Sequence, residues 1–222
     1  DVRIRQAVMA VVDVEEMAEV SGYVYKLNAS LLYPDSPYYT GEQMKQYYSQ
    51  NNPAKAKALL KEAGYKGEKI IIHTNSNYAY MRAQMLVLEQ KLKAIGMNVE
   101  MRVTDWITNA GALTTGEGGW NISMTGYCSQ PLLGPQQWRP LIYTHSGLNK
   151  ANDTEIDSAY AKFFGSLDIN ARKEAWLAAE TGIRSRAYLV KVSDAGRAVS
   201  MHTKVHGWKP WYAMRNWDLW LD

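Results

Sequence analysis

The sequence predicts an α/β fold: a parallel-core sheet flanked by helices, followed by a β-rich C-terminal return segment. Three observations carry that prediction. Ile70, Ile71 and Ile72 form a continuous apolar run, as in a strand buried on both faces. From there to residue 125 the periodicity alternates as strand, helix, strand, helix, strand, which folds through right-handed crossovers into a parallel sheet. Beyond about residue 190 the helical period fades and tryptophans gather: Trp208, Trp211, Trp217 and Trp220.

The elements follow in order. Ile4, Ala7, Val8, Val11 and Val12 share one face at helical spacing, so residues 2–12 read as a helix. Asp13 and Glu16 make an Asp-x-x-Glu capping box for a second short helix, which Gly22 ends. Residues 27–50, with Pro34, Pro37, Gly41, Tyr33, Tyr38, Tyr39 and Tyr47, read as a long irregular stretch of the kind that serves function or wraps another surface. Asn52 and Pro53 open a helix with stripe Ala56, Leu59, Leu60 and Ala63, closed by Gly64. Residues 69–73 read as a strand. Residues 78–94 read as a helix burying Met81, Met85, Leu88, Leu92 and Ile95, with Gly96 as its stop. Met97, Val99, Met101 and Val103 alternate as a half-buried strand. Asp105 caps a helix to about residue 115, the glycine-rich Gly116-Glu117-Gly118-Gly119 is a loop, and residues 121–125 are a third strand. Asp153 caps a helix with Ile156, Tyr160 and Phe163 inward; Asp168 caps another with Ala171, Ala175, Trp176 and Ala179 inward. Residues 188–192 and 198–202 read as strands.

Composition narrows the function. Hydrophobic residues are 46% of the 222 and charged residues 21%, ordinary for a globular chain. A net charge of +3 without a basic run gives no footprint for nucleic acid. Eight Trp and 15 Tyr stand against 2 Phe, a bias towards rings with a polar edge, which suit wet pockets and interfaces. The one cysteine, Cys128, excludes an internal disulfide and a cysteine zinc site. No stretch has the roughly 18 consecutive apolar residues of a membrane span. The chain opens Asp-Val-Arg-Ile-Arg, without the apolar region of a signal peptide. HExxH, GxSxG and P-loop motifs are lacking, and no cofactor is implied.

Several segments resemble one family. Asp1-Val2-Arg3-Ile4-Arg5-Gln6-Ala7 with Val12-Asp13 resembles the D-x-R-V-R-Q-A…I-D element of family-5 extracellular solute-binding proteins, the peptide- and nickel-binding components of ABC importers. Pro53-Ala54-Lys55-Ala56-Lys57-Ala58-Leu59-Leu60-Lys61-Glu62-Ala63-Gly64-Tyr65 resembles the family's P-x-K-A-K-x-L-L-x-E-A-G-Y helix. Leu92-Lys93-Ala94-Ile95-Gly96-Met97-Asn98-Val99 resembles its L-K-x-I-G-I-x-V turn. Asn149, Ile156-Asp157, Asp168 with Arg172, and Gly207-Trp208-Lys209-Pro210-Trp211 with Trp217-Asp218-Leu219-Trp220 fit as well.

The resemblance implies a periplasmic binding protein-like lobe: residues 1–190 as the second α/β lobe of a two-lobed clamp, and residues 191–222 as the crossover and strands that complete a first lobe. It implies that this N-terminal lobe is missing here. It also implies partners, namely ABC permease subunits and a small polar ligand, and an extracytoplasmic, periplasmic location. Ligands of such sheets lie outside the carboxyl ends of the strands, here near residues 74–78, near residues 104–106 and after Thr125. Gly126-Tyr127-Cys128-Ser129-Gln130 resembles the family's G-W-x-x-D loop, whose Trp flanks a peptide and whose Asp pairs with its ammonium. Tyr127 replaces that Trp and Gln130 that Asp. A glutamine accepts a hydrogen bond but neutralises no charge, so the ligand expected shifts from a peptide towards a modified amino acid or a sugar-containing compound. Trp138 and Arg139 are candidates to stack on or clamp an anionic group, and Asn77 and Tyr78, beside Asn75, are candidate contacts at a strand end. The plainer alternative is an ordinary surface or inter-lobe ion pair for Arg139, and a turn and helix cap for Asn75, Asn77 and Tyr78. His145 falls where nickel-binding relatives use a histidine, but a lone histidine is ordinarily structural, and no metal is expected.

Two other classes compete. A carbohydrate-active hydrolase would use the aromatic residues but needs two carboxylates facing each other across the substrate, and Asp13, Glu16, Asp105, Asp153 and Asp168 sit at caps or exposed faces. A sensor subunit presenting its ligand to a receptor would use the same clamp.

Overall fold

The structure is a computed structural model that describes residues 1–130, 133–144, 147–196, 200–209 and 215–222. Helix α1 (Val2–Val11) is capped by the Asp1 side chain, and α2 (Val14–Glu19) by Asp13, which accepts from the Glu16 N–H. The capping box is only half made, because the Glu16 carboxylate turns to Lys91 at 2.6 Å. After strand β1 (Tyr25–Lys26), the irregular stretch holds a short helix α3 (Gly41–Met44) and a 3₁₀ turn (Lys45–Tyr47). Helix α4 (Pro53–Ala63) starts as expected, with Asn52 accepting from the Lys55 N–H and Pro53 in the first turn. It ends on Gly64 at φ +70°, a conformation that glycine adopts without strain.

The sheet comes next: β2 (Ile70–Asn75), α5 (Ala79–Ala94), β3 (Val99–Thr104), α6 (Trp106–Thr115) and β4 (Ile122–Ser123). Its order is β3-β2-β4 and both pairings are parallel, with Ile72 opposite Met101 and Ile122. Strand β2 runs two residues past the expected end, and β4 is shorter than expected. Val103 is exposed rather than half-buried, because β3 lies at the edge of this ladder.

A 3₁₀ turn (Pro135–Trp138) and the one-turn helix α7 (Arg139–Ile142) lead to α8 (Thr154–Gly165) and α9 (Ile169–Ser185), which pack on each other. Ile156, Tyr160, Phe163, Ala175, Trp176 and Ala179 face inward as their spacing predicts, whereas Ala171 is exposed. Residues 188–192 do not form the expected strand. The chain there has no regular structure and is held by side chains: Lys191 bonds Asp194 at 2.8 Å, and the Tyr48 hydroxyl donates to the Val192 carbonyl. Strand β5 (Asp194–Ala195) then pairs antiparallel with β1, and β6 (Val205–His206) with β7 (Trp220–Leu221). The expected strand at 198–202 and Trp211 fall partly or wholly outside the described residues.

Two buried clusters result. The first joins α1, α2, α4 and α5 to one face of the sheet through Ala7, Val11, Leu60, Ile72, Met85, Leu88 and Leu92. The second joins α8 and α9 to Leu31, Leu32, Trp138 and Ile142.

Candidate functional site

Strand order β3-β2-β4 makes the boundary between β2 and β4 a switch point. The chain leaves β2 to cross one way and returns to β4 on the other side, and in parallel α/β sheets ligands bind outside the carboxyl ends of two such strands. Asn75, fully buried at the end of β2, shapes one wall. Its Oδ1 accepts the N–H groups of Asn77 (3.1 Å) and Tyr78 (2.8 Å), which folds the turn into α5. Asn77 in turn accepts the N–H of Trp106 at 2.7 Å, and the Ser76 N–H donates to the Thr104 carbonyl at 2.8 Å. The turn after β2 is thereby tied to the start of α6.

Aromatic rings line this wall. Tyr78, 41% exposed, meets Trp106 edge-on at 5.1 Å and Tyr80 at 6.1 Å; Tyr80 meets Tyr23 edge-on at 5.3 Å. The exit of β4 passes close by. A Cβ on Gly126 would come within 2.4 Å of the Tyr80 hydroxyl, so a larger residue here would have to push the Tyr80 ring aside. Tyr80 therefore links Tyr78, in the turn after β2, to Gly126, at the start of the loop that follows β4.

That loop is fastened from below. Tyr127 packs its ring on Trp138 at 5.0 Å and donates its hydroxyl to the Gln137 carbonyl. Burial, and then the neighbouring Cys128, raise its phenol pKa. Ser129 Oγ and the Tyr33 hydroxyl share a hydrogen bond of 2.9 Å. The Gln137 side chain accepts the Gln130 N–H at 2.7 Å and donates to the carbonyls of Gln130 and Leu133. Cys128 and Gln130 themselves are exposed. Trp138 is only 6% exposed: it stands behind Tyr127 as part of the second core, with its ring presented to Tyr127 rather than to solvent. Arg139 is exposed at the start of α7, its guanidinium 5.4 Å from the Tyr143 ring.

The nearby acid Asp105 is engaged. It accepts from the Thr108 N–H (3.0 Å) and hydroxyl (2.6 Å), and those bonds lower its pKa. No cluster of three or more His, Cys, Asp or Glu is placed to hold a metal among the described residues, and His145 lies outside them. Nor is any helix among them long and apolar enough to cross a membrane. Trp106, Tyr80, Tyr33 and Gln137 join the site only in three dimensions. For Trp106 a signal was present, an aromatic residue directly after a strand and a capping Asp; for Gln137 there was none.

Comparison with known proteins places the family and the fold. Residues 1–147 match the family model described as bacterial extracellular solute-binding proteins, family 5 middle. A curated relative from Sinorhizobium fredii, named a probable peptide ABC transporter periplasmic-binding protein, is 31% identical over 56% of this chain and 25% of its own length. Two solved structures share the fold. The dipeptide binding protein of Pseudoalteromonas sp. SM9913, in complex with Met-Leu, is 24% identical with TM-score 0.72, over 88% of this chain and 40% of that one. A mannohexaose-bound periplasmic oligopeptide-binding protein of Thermotoga maritima is 16% identical with TM-score 0.74, over 88% of this chain and 41% of that one. The chain thus spans a quarter of the curated relative's length and about two fifths of the solved ones.

Proposed function

The chain belongs to the bacterial extracellular solute-binding proteins of family 5, and from that membership we propose that it forms one lobe of the substrate-binding component of an ABC importer. In this reading it works outside the cytoplasm, captures a small polar solute between two lobes, hands it unchanged to permease subunits, and catalyses nothing. The observation that carries the proposal is the meeting, at the β2/β4 switch point, of the aromatic rings around Tyr78 with the loop that leaves β4 at Gly126. A second lobe closing on that face would enclose the ligand and expel water, the condition under which a few matched hydrogen bonds give affinity.

The chemistry of the loop bears on the ligand. Gln130 brings no negative charge, and Asp105 is spent on its helix cap. An unpaired ammonium enclosed here would cost several kcal/mol. A ligand whose contacts on this lobe are hydroxyls, amides or flat rings fits better, with any charge met by the opposing lobe. The fold itself accommodates both kinds, since one fold relative holds Met-Leu and the other mannohexaose. In the same reading Asn77 and Tyr78 contact the ligand, Trp138 braces Tyr127 from behind, and Arg139 meets the closing lobe. Trp217 (74% exposed), Trp220 (59%) and Leu221 (75%) belong to the surface that lobe covers.

Native mass spectrometry of the intact polypeptide, followed by calorimetry with Met-Leu and with mannohexaose, tests the proposal. One equivalent of ligand should bind and be recovered chemically unchanged. Conversion of the ligand into product would instead support a hydrolase.

A further inference from the structure

The two faces of the three-stranded sheet differ in kind. Residues paired across a parallel ladder share a face. One face carries Ile70, Ile72, Thr74, Val99, Met101, Val103 and Ile122 and holds the first core. The other carries Ile71 at its start and otherwise polar residues, Glu100, Arg102, Thr104, His73, Asn75 and Ser123, and α6 lies over it, with Asn109 donating to Ser123 Oγ at 3.5 Å. Parallel sheets are ordinarily apolar on both faces, so a polar layer beneath a helix calls for a physical reason.

His73 sits at the centre of that layer, 3% exposed. Its Nε2 lies 2.9 Å from Thr104 Oγ1, and the Thr104 hydroxyl donates in turn to the Asp105 carbonyl. This network assigns the proton of the neutral ring to Nε2 and leaves Nδ1 buried and without a partner among the described residues. On the same face Asn109, fully buried on α6, has an Oδ1 that also lacks a partner. Burial, and then the charge of Arg102, depress the His73 pKa below its ordinary 6.5.

We propose that His73 is a positioning residue for the ligand face: neutral, it holds α6 in place, and protonated, it draws Asn109 off Ser123 and shifts the helix. A second ring proton goes to Nδ1, which then needs an acceptor, and Asn109 Oδ1 is a buried acceptor in need of a donor. The first residue of α6 is Trp106, tied to Asn77 and Tyr78, so displacement of the helix reaches the aromatic wall of the crevice. The charges around His73 leave it as the group that titrates. On β3, Arg102 donates to the Gly118 carbonyl and Glu100 pairs with Lys69 at 2.8 Å. On β4 the facing group is the Ser123 hydroxyl, and α6 carries no titratable side chain. At the helix ends stand Asp105, held by Thr108, and Lys150, which donates to the Thr114 carbonyl at 2.6 Å, with exposed Glu117 in the following loop.

The consequence for ligand affinity rests on the proposed function; the motion of α6 does not. Hydrogen–deuterium exchange of residues 106–115 in the intact polypeptide, corrected for intrinsic rates, reads that motion at pH 7.5 and 5.0. Protection should drop about tenfold at the lower pH in the natural protein and stay level in His73→Gln, which keeps a donor to Thr104 but cannot titrate. An equal drop in both overturns the proposal. Should the variant not fold, ¹⁵N NMR of the natural histidines decides: the Nε2–H tautomer with a midpoint below 6.5 supports it, and the Nδ1–H tautomer or an ordinary midpoint overturns it. Met-Leu serves as binding probe, and its affinity should fall with pH in the natural protein alone. Absence of Met-Leu binding at both pH values counts against a peptide ligand, while the exchange and NMR results still decide the role of His73.

Discussion

The two cores of this chain are built by different means. The first is held mainly by apolar contact: α1, α2, α4 and α5 bring stripes of alanine, valine, leucine and methionine against the isoleucines of the sheet. The second pairs α8 and α9 with the irregular stretch between β1 and α4, and much of what holds that stretch is buried charge. Glu180 accepts the Leu31 N–H (2.7 Å) and the Thr40 hydroxyl (2.5 Å). Arg184 reaches the Tyr47 carbonyl at 3.4 Å. Lys191 donates to the Ser30 carbonyl and pairs with Asp194, which also accepts from Asn28 at 2.8 Å. A segment without regular structure leaves its backbone groups unpaired, and burying it requires side chains to supply the partners. Regular elements need only apolar contact. The difference predicts that the second core is the more specific and the more brittle.

Glu180→Leu should give the largest effect. It removes the acceptor of Leu31 and Thr40 and the carboxylate whose charge favours the Arg184 guanidinium. Breaking such a buried network from one side costs about 3–5 kcal/mol, read from urea unfolding. The loss should be local in its structural consequence, freeing amides of residues 28–40 to exchange while those of α5 stay protected. Uniform loss of protection would show that the two cores are one cooperative unit.

Leu92→Ala is the matching cut in the first core. Leu92 is fully buried, and its truncation costs about 2–5 kcal/mol depending on how far the cavity collapses. Here no polar group is orphaned. A conservative Leu92→Met should recover most of the loss, whereas Glu180→Gln should recover only part of its own, because the amide offers one acceptor oxygen in place of two.

The same contrast sets what could be read from the chain. Asn52, Pro53, Gly64, Asp105, Asp153 and Asp168 act within a turn of their own position, so their roles as caps were legible, as was the parallel β-α-β-α-β order. The partners of the second core lie far apart in sequence. Glu180 and Arg184 continue the buried stripe of Trp176 at four-residue spacing, yet a charged residue on a helix reads by default as its solvent face. Residues 188–192 read as a strand from their β-like residues, yet side chains of Lys191 and Tyr48, not a ladder, hold them. For the site, the strand ends and the loop after β4 were legible from topology. Trp138 was read as a ligand contact; it is buried against Tyr127 in the cluster that also holds Leu31 and Leu32, more than a hundred residues away, and nothing local in the sequence announces that burial.

A smaller effect is expected at Gln137, where one side chain holds the candidate ligand loop by both its oxygen and its nitrogen. Gln137→Ala should cost about 1–2 kcal/mol. The sole cysteine, exposed at Cys128, reports on the loop directly, and its reaction with a thiol reagent should accelerate in the variant. A rate unchanged from the natural protein would show that Tyr127 and the Tyr33–Ser129 bond hold the loop without Gln137.

The smallest change is also where the two regions meet. Tyr33 belongs to the irregular stretch of the second core, and its hydroxyl reaches Ser129 at the mouth of the crevice. Tyr33→Phe deletes one partly exposed hydrogen bond, worth about 0.5–1.5 kcal/mol, and leaves the ring in place. If the irregular stretch serves to brace the site, Cys128 should label faster in Tyr33→Phe than the small stability loss accounts for, and Ser129→Ala should reproduce the rate without adding to it in the double variant. Additive rates would separate the two residues and leave the stretch a structural role alone. A shared rate would mean that the charges buried around Glu180 act on the ligand face, because they fix the backbone that carries Tyr33.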